Sequence, residues 1–171
     1  MNDTQVYIGI ATPQDGEKLR AMFARSSTET IYRRFHTPFP SVPEWMLALV
    51  LDADRTDKEF LIAVADGKIV GHAMYVRLGD GTEAEMAIVV EDEWQSKGVG
   101  KSLLSELAQR ARPRGVETFT AEVLATNRPM LGLAAMFAGT EYAMRDGVCH
   151  VRMPLRTLEP ADPTRNLGRA A

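Results

Sequence analysis

The sequence predicts a single α/β (α+β) domain built on a mixed, mostly antiparallel central sheet. Three observations point there. Two Asp-Gly pairs, Asp66-Gly67 and Asp146-Gly147, each separate strand-like runs and read as tight hairpins. Amphipathic stretches with apolar residues at helical spacing interrupt the strands. The segment 84–107 passes from a nearly unbroken apolar strand through a glycine-bearing loop into an amphipathic helix.

The elements follow in order. A first strand is expected over 6–10. Thr12 then caps a helix, with Pro13 in its first turn, Asp15 near its positive end, and Leu19, Met22 and Phe23 as its stripe. A second helix covers 27–35, with Ile31, Tyr32 and Phe35 on one side and Arg33-Arg34 on the other. Ser41-Val42-Pro43-Glu44 has the form of a capping box and predicts a short helix to about Leu51. After a charged connection at 52–58, strands over 60–65, 68–77 and 84–90 make an antiparallel meander. Glu91-Asp92-Glu93 closes it with charges that want water. The central helix carries Leu103, Leu104, Leu107, Ala108 and Ala111, and Pro113 and Gly115 stop it. A strand over 116–124 lies beside 84–90. Thr126-Asn127 caps a helix over 128–138 with Met130, Leu133, Ala134 and Phe137 inside, and a hairpin over 142–145 and 148–153 ends the domain. The domain spans 1–155, and the tail 156–171 has little to bury.

Twenty basic and 23 acidic residues leave a net charge of −3 over 171 residues, against the concentrated basic surface that nucleic-acid binding needs. The lone Cys149 fits a reducing compartment and a packed thiol. The N-terminus lacks the form of a signal peptide, and no apolar run approaches the roughly 20 residues of a membrane helix. His36, His72 and His150 have no ligand spacing, so no metal site is expected. These features predict a soluble, cytoplasmic protein with no membrane or nucleic-acid partner.

The loop suggests a chemistry. The first amides of a helix lack intrahelical partners and sit at the positive end of its dipole, where they favour an anion. Gly98 and Gly100 leave room for a phosphate to approach, and Lys97 and Lys101 add positive charge. Glycines that merely shape a turn would look the same.

The longer string Gln95-x-x-Gly98-x-Gly100 after a strand resembles the acyl-CoA pyrophosphate loop of the GNAT superfamily of N-acyltransferases; neither GxxxxGK[ST] nor GxGxxG is present. The element order also resembles a GNAT domain. That resemblance implies a splayed parallel pair of strands, helices on both faces, and a pantetheine arm lying in the splay. It implies acetyl-CoA as co-substrate, with the backbone of Ile88, Val89 and Val90 along pantetheine. Gln95, Ser96, Lys97, Gly98, Val99, Gly100, Lys101 and Ser102 would hold the pyrophosphate, and Asn127 would contact the cofactor as well as cap its helix.

Ser27-Thr28-Glu29-Thr30-Ile31-Tyr32-Arg33-Arg34-Phe35 is similar to the S-x-E-S-x-Y-x-R-F stretch of Pat-type protein lysine acetyltransferases, and Asn127-Arg128-Pro129-Met130 to their N-x-x-M segment. This implies a protein lysine as acceptor, for example on an acyl-CoA synthetase, and places Arg33 and Arg34 on the acceptor side. Two adjacent arginines on a short helix are more often a solvated face. Homodimerisation stays open.

Glu85 is the only charged side chain inside the apolar run 84–90, where burying a lone carboxylate is costly. The expectation is a groove of low polarity in which Glu85 serves as general base. The resemblance supports it, since several protein acetyltransferases carry their base in a matching Ala-Glu pair. A place at the wet start of the strand, paired with Arg77, is the plainer alternative. Many GNAT enzymes have a tyrosine seven residues past the asparagine as general acid; Ala134 stands there, so no acid is assigned. A small-molecule amine acetyltransferase, a non-catalytic acyl-CoA sensor and a plain interaction domain remain alternatives at this level.

Overall fold

The computed structural model describes residues 5–39, 41, 43–51 and 57–157. Its strands are β1 (Tyr7–Ile10), β2 (Lys58–Ala65), β3 (Lys68–Arg77), β4 (Glu83–Val90), β5 (Thr118–Leu124), β6 (Glu141–Arg145) and β7 (Val148–Pro154). They form one seven-stranded sheet in the order β1-β2-β3-β4-β5-β7-β6. Every neighbouring pair is antiparallel except β4 with β5. The hairpins arise from local chemistry: Asp66 and Gly67 have φ of 48° and 72°, Asp146 and Gly147 of 51° and 80°, so both turns have the mirror-image hand that matches strand twist. A parallel neighbour needs a crossover instead, and the helix α4 (Val99–Ala111) supplies it between β4 and β5.

Helices cover both faces. One core joins α4, through Leu103, Leu104 and Leu107, to Ala73, Tyr75, Phe119, Val151 and Met153 of the sheet. The helix α5 (Arg128–Ala134) adds Ala134 to it, and Phe137 follows from the turn beyond. On the other face, α1 (Gly16–Arg25), α2 (Thr28–Phe35) and α3 (Glu44–Leu51) contribute Leu19, Met22, Phe23, Ile31 and Leu47. These pack against Phe60, Ile62, Ile69 and Val89. Cys149 is buried in the first core, as the sequence suggested.

Some expectations shift. Thr12 and Asp15 frame a single 3-10 turn over Pro13–Asp15, where the Asp15 carboxylate accepts from the Thr12 amide and hydroxyl at 2.8 Å; α1 starts at Gly16. The capping box at 41–44 and the connection 52–58 fall partly outside the described residues. The helix α5 ends at Ala134 rather than 138, because the amides of Met136 and Phe137 turn back to the Leu133 and Ala134 carbonyls. No helix among the described residues is long and apolar enough to cross a membrane. Glu59 is a finding the sequence did not announce. It is fully buried on β2 and ion-paired to Arg110 in the last turn of α4 and to Arg114 just beyond it, which anchors the end of that helix across the sheet.

Candidate active site

The strands β4 and β5 run together only at their starts. Glu83 pairs with Thr118, Ala84 with Phe119 and Glu85 with Thr120, and the ladder stops there. Beyond Glu85, β4 keeps only its β3 partner and β5 only β7. The facing edges of 86–90 and 121–124 therefore border a cleft inside the sheet, lined by backbone groups without ladder partners. Ile88, Val89 and Val90 lie on that edge. An extended, amide-bearing ligand could pair with it as an added strand.

At the open end of the cleft the chain makes a 3-10 turn over Asp92–Trp94, a turn at 95–98, and then α4. Ser96 and Gly98 take left-handed φ of 59° and 84°. The first helical bond runs from the Ser102 amide to the Gly98 carbonyl, 3.0 Å. The amides of Val99, Gly100 and Lys101 precede it and have no helical acceptor, and no acidic residue occupies this first turn. A Cβ at Gly100 would meet only Leu133 Cδ2 at 3.4 Å and Val90 Cγ2 at 3.8 Å, so packing alone does not demand glycine there. Lys97 Nζ lies 5.0 Å from the Trp94 ring centroid, held beside the loop by a cation–π contact.

Much of this geometry is held from α2. Asp92 accepts from the Ser27 amide at 2.8 Å, the Ser27 hydroxyl at 2.7 Å and the Thr30 hydroxyl at 2.9 Å. Gln95 Nε2 donates to Thr30 Oγ1 and to the Val90 carbonyl, each at 3.0 Å, while its backbone N–H donates to the Asp92 carbonyl oxygen. The donors of Gln95 are thus engaged within the protein, and the residue supports the loop. Glu91 is buried and ion-paired to Arg25 at 2.7 Å. The acidic triplet 91–93 was expected to seek water; Asp92 and Glu93 are exposed, whereas Glu91 is buried against Arg25 of α1, and Asp92 also holds the hydroxyls at the start of α2. Spacing could not reveal this, because the partners lie more than sixty residues away.

At the end of β5, the Asn127 side chain accepts from the Met130 amide at 3.2 Å and caps α5. Ala134 is fully buried, so the usual tyrosine position holds a core methyl. Tyr142 stands on the edge strand β6, 46% exposed.

Glu85 sits where the β4–β5 ladder ends. It is exposed, contrary to the expected burial, and forms no ion pair among the described residues. Arg77 is committed to Asp57 and the Gly81 and Arg114 carbonyls, so it is not the partner of Glu85. The carboxylate faces the α1–α2 side of the sheet with Ala87 and Val89, because alternate residues share a face.

The two arginines of α2 part company. Arg33 stays at the surface, paired with Glu29. Arg34 turns inward, its guanidinium carbon 4.7 Å from the Phe35 ring centroid and its Nη2 3.5 Å from Met74 Sδ. Burial lowers its pKa to about 10, with the Glu85 charge pulling the other way. Tyr32, expected on the apolar side, is 44% exposed.

A family model described as Acetyltransferase (GNAT) family matches residues 21–139. The chain belongs to that family. As a GNAT protein it is an acyltransferase. It is 32% identical over 127 residues to Acetyltransferase Pat of Mycolicibacterium smegmatis, covering 72% of this chain and 38% of that protein. It therefore spans well under half the length of that relative. It is 27% identical over 154 residues to L-amino acid N-acetyltransferase AaaT of Escherichia coli, covering 84% of this chain and 92% of that one. Among solved structures, the GNAT domain of S. lividans PAT superposes with a TM-score of 0.82 at 30% identity, covering 87% and 90% of the two chains. The GNAT fold expected from the element order, with its splayed parallel pair and helices on both faces, is the fold observed.

Proposed function

We propose that this chain transfers acetyl from acetyl-CoA to a primary amine, with a protein lysine as the leading acceptor. The observation that carries the reading is the cleft itself: it opens at Glu85, is edged by unpaired β4 backbone, and ends at the free amides of α4. A long ligand with amides in its middle and phosphates at one end matches those groups in that order. The amides of Val99, Gly100 and Lys101 would hold the phosphates, with Lys101 adding charge, and 88–90 the amide-bearing arm. Acetyl-CoA, when bound, supplies a carbonyl activated as a thioester and leaves as the thiol.

The remaining work falls to the chain. The acceptor amine arrives protonated, and Glu85 would take that proton, a reading supported by its exposure at the start of the cleft. Alignment of amine and carbonyl by the strand edge contributes most of the remaining acceleration. With Ala134 in the tyrosine position, no side chain is assigned to protonate the departing thiolate.

The protein-lysine reading is supported by 30–32% identity to two Pat domains. A small-molecule acceptor is the second reading, favoured because the chain covers 92% of the E. coli amino-acid acetyltransferase. Turnover of acetyl-CoA against acyl-CoA synthetases and a panel of small amines, followed by thiol release and mass spectrometry, separates them. Acetyl-lysine on a synthetase supports the first, and acetylated amino acids with unmodified synthetase the second. Thiol release no faster than hydrolysis with every acceptor rejects both.

A further inference from the structure

Arg34 differs from four other arginines that reach inward. Arg25 is paired with Glu91, Arg77 with Asp57, and Arg110 and Arg114 with Glu59. Arg34 has no carboxylate partner among the described residues. Its Nε is enclosed without an acceptor, and its Nη2 meets only the Met74 sulfur, a weak acceptor. A guanidinium drawn out of water is ordinarily paired, since leaving it unpaired is costly. His72, on the same strand face two residues before Met74, is fully enclosed with both ring nitrogens unpartnered and is not an anion.

The register shows what lies beside Arg34. Met74 is opposite Ala87, and the next pair on that face is Val76 with Glu85. Arg34, resting on Met74, is thus one pleat from Glu85 on the same side of the sheet, and the residue between them on β4 carries only a methyl. A cation and a carboxylate, neither in a close ion pair among the described residues, share this face at the start of the cleft, near enough for the Glu85 charge to act on Arg34. The diagonal strand positions Met74, on which Arg34 rests, and Glu85 are about 7–8 Å apart.

We propose that Arg34 is the specificity residue of the acceptor site, reading a carboxylate that the acceptor carries next to the amine facing Glu85. The inference rests on the proposed acetyl transfer and narrows its acceptor. A planar guanidinium can grip a carboxylate through two parallel N–H bonds, which a bare amine could not supply. Two sources present this chemistry: a free α-amino acid, or an acidic side chain flanking a lysine on a protein.

The test compares matched acceptors on the intact chain: L-phenylalanine against L-phenylalaninamide, and a lysine peptide with flanking Glu against the same peptide with Gln. Thiol release should favour the carboxylate member of one pair by about tenfold or more in kcat/KM, and the responding pair identifies the source. Arg34→Met should reduce that preference to under about twofold, chiefly through KM, with acetyl-CoA affinity unchanged. Arg34→Lys, which keeps the charge but not the fork, should fall between. Equal rates within both pairs for the wild type, or a preference that survives Arg34→Met, overturns the assignment. If no acceptor releases thiol, the transfer reading fails separately, and calorimetry with N-acetyl-L-phenylalanine and its carboxamide still decides Arg34. Tighter binding of the acid that Arg34→Met abolishes supports the assignment, whereas equal or undetectable binding of both overturns it.

Discussion

The Thr30 hydroxyl, on the first helical turn of α2, donates to the Asp92 carboxylate at 2.9 Å and accepts from Gln95 Nε2 at 3.0 Å. One side chain therefore ties α2 to the loop that starts α4. The coupling predicts that Asp92→Ala loosens both. Removing an acceptor for three donors at an exposed site should cost about 1–2 kcal/mol in urea unfolding. Burial pushes the Asp92 pKa up, but the hydrogen bonds from Ser27 and Thr30 outweigh it and leave the pKa below its ordinary 3.8. A lowered carboxylate pKa stabilises the fold above the unfolded value and loses that contribution as pH falls through the folded one. The gap between wild type and Asp92→Ala should thus be full at neutral pH and close below pH 3.8; a gap unchanged at pH 3 would exclude the linkage.

His72 should impose a pH dependence of its own. Burial, reinforced by the nearby Arg34 charge, lowers its pKa from 6.5 to about 3. Between those values the unfolded chain takes up a proton that the folded chain refuses, so stability falls as pH drops below 6.5. The ring stacks 5.9 Å from Phe60, which leaves a site suited to another aromatic. His72→Phe should fold and flatten the decline in Tm between pH 7 and 5. A parallel decline in both proteins would assign it to other groups.

At the loop, Gly100→Ala should leave Tm nearly unchanged, because its Cβ meets only ordinary contacts. Gly100→Val should weaken acetyl-CoA binding by about tenfold or more, since a branched side chain would crowd the amides offered to the phosphates. Lys101→Ala should weaken it less, with a deficit that shrinks as salt screens the charge. Isothermal titration of the three variants checks this, and wild-type affinity in Gly100→Val would remove the loop from the binding site.

Glu85→Gln keeps shape and removes basicity. It should leave acetyl-CoA affinity intact, lower kcat by about 10²–10⁴-fold, and flatten the acidic limb of the pH–rate profile. Because Glu85 is exposed and in no ion pair among the described residues, the change should barely alter Tm, so a loss of rate can be read as chemistry. Wild-type kcat with an unchanged acidic limb would place the base elsewhere.

Local chemistry was legible in the chain alone. Asp66-Gly67 and Asp146-Gly147 specify their hairpins because few residue pairs tolerate two successive positive φ angles, and Ser27 and Asn127 cap helices through neighbours three residues away. The strand–loop–helix from β4 to α4 was readable for the same reason: its periodicity and its glycines are properties of contiguous residues. What the tertiary structure alone decided concerns residues far apart in sequence. Whether Glu85 is buried depends on where the β4–β5 ladder ends. Whether Arg34 faces water depends on how α2 lies on β3, and whether Glu91 leaves solvent depends on Arg25 reaching it. Charge and hydropathy along the chain assign each residue a preference, but a preference for water yields whenever a distant partner supplies the hydrogen bonds that water would have made.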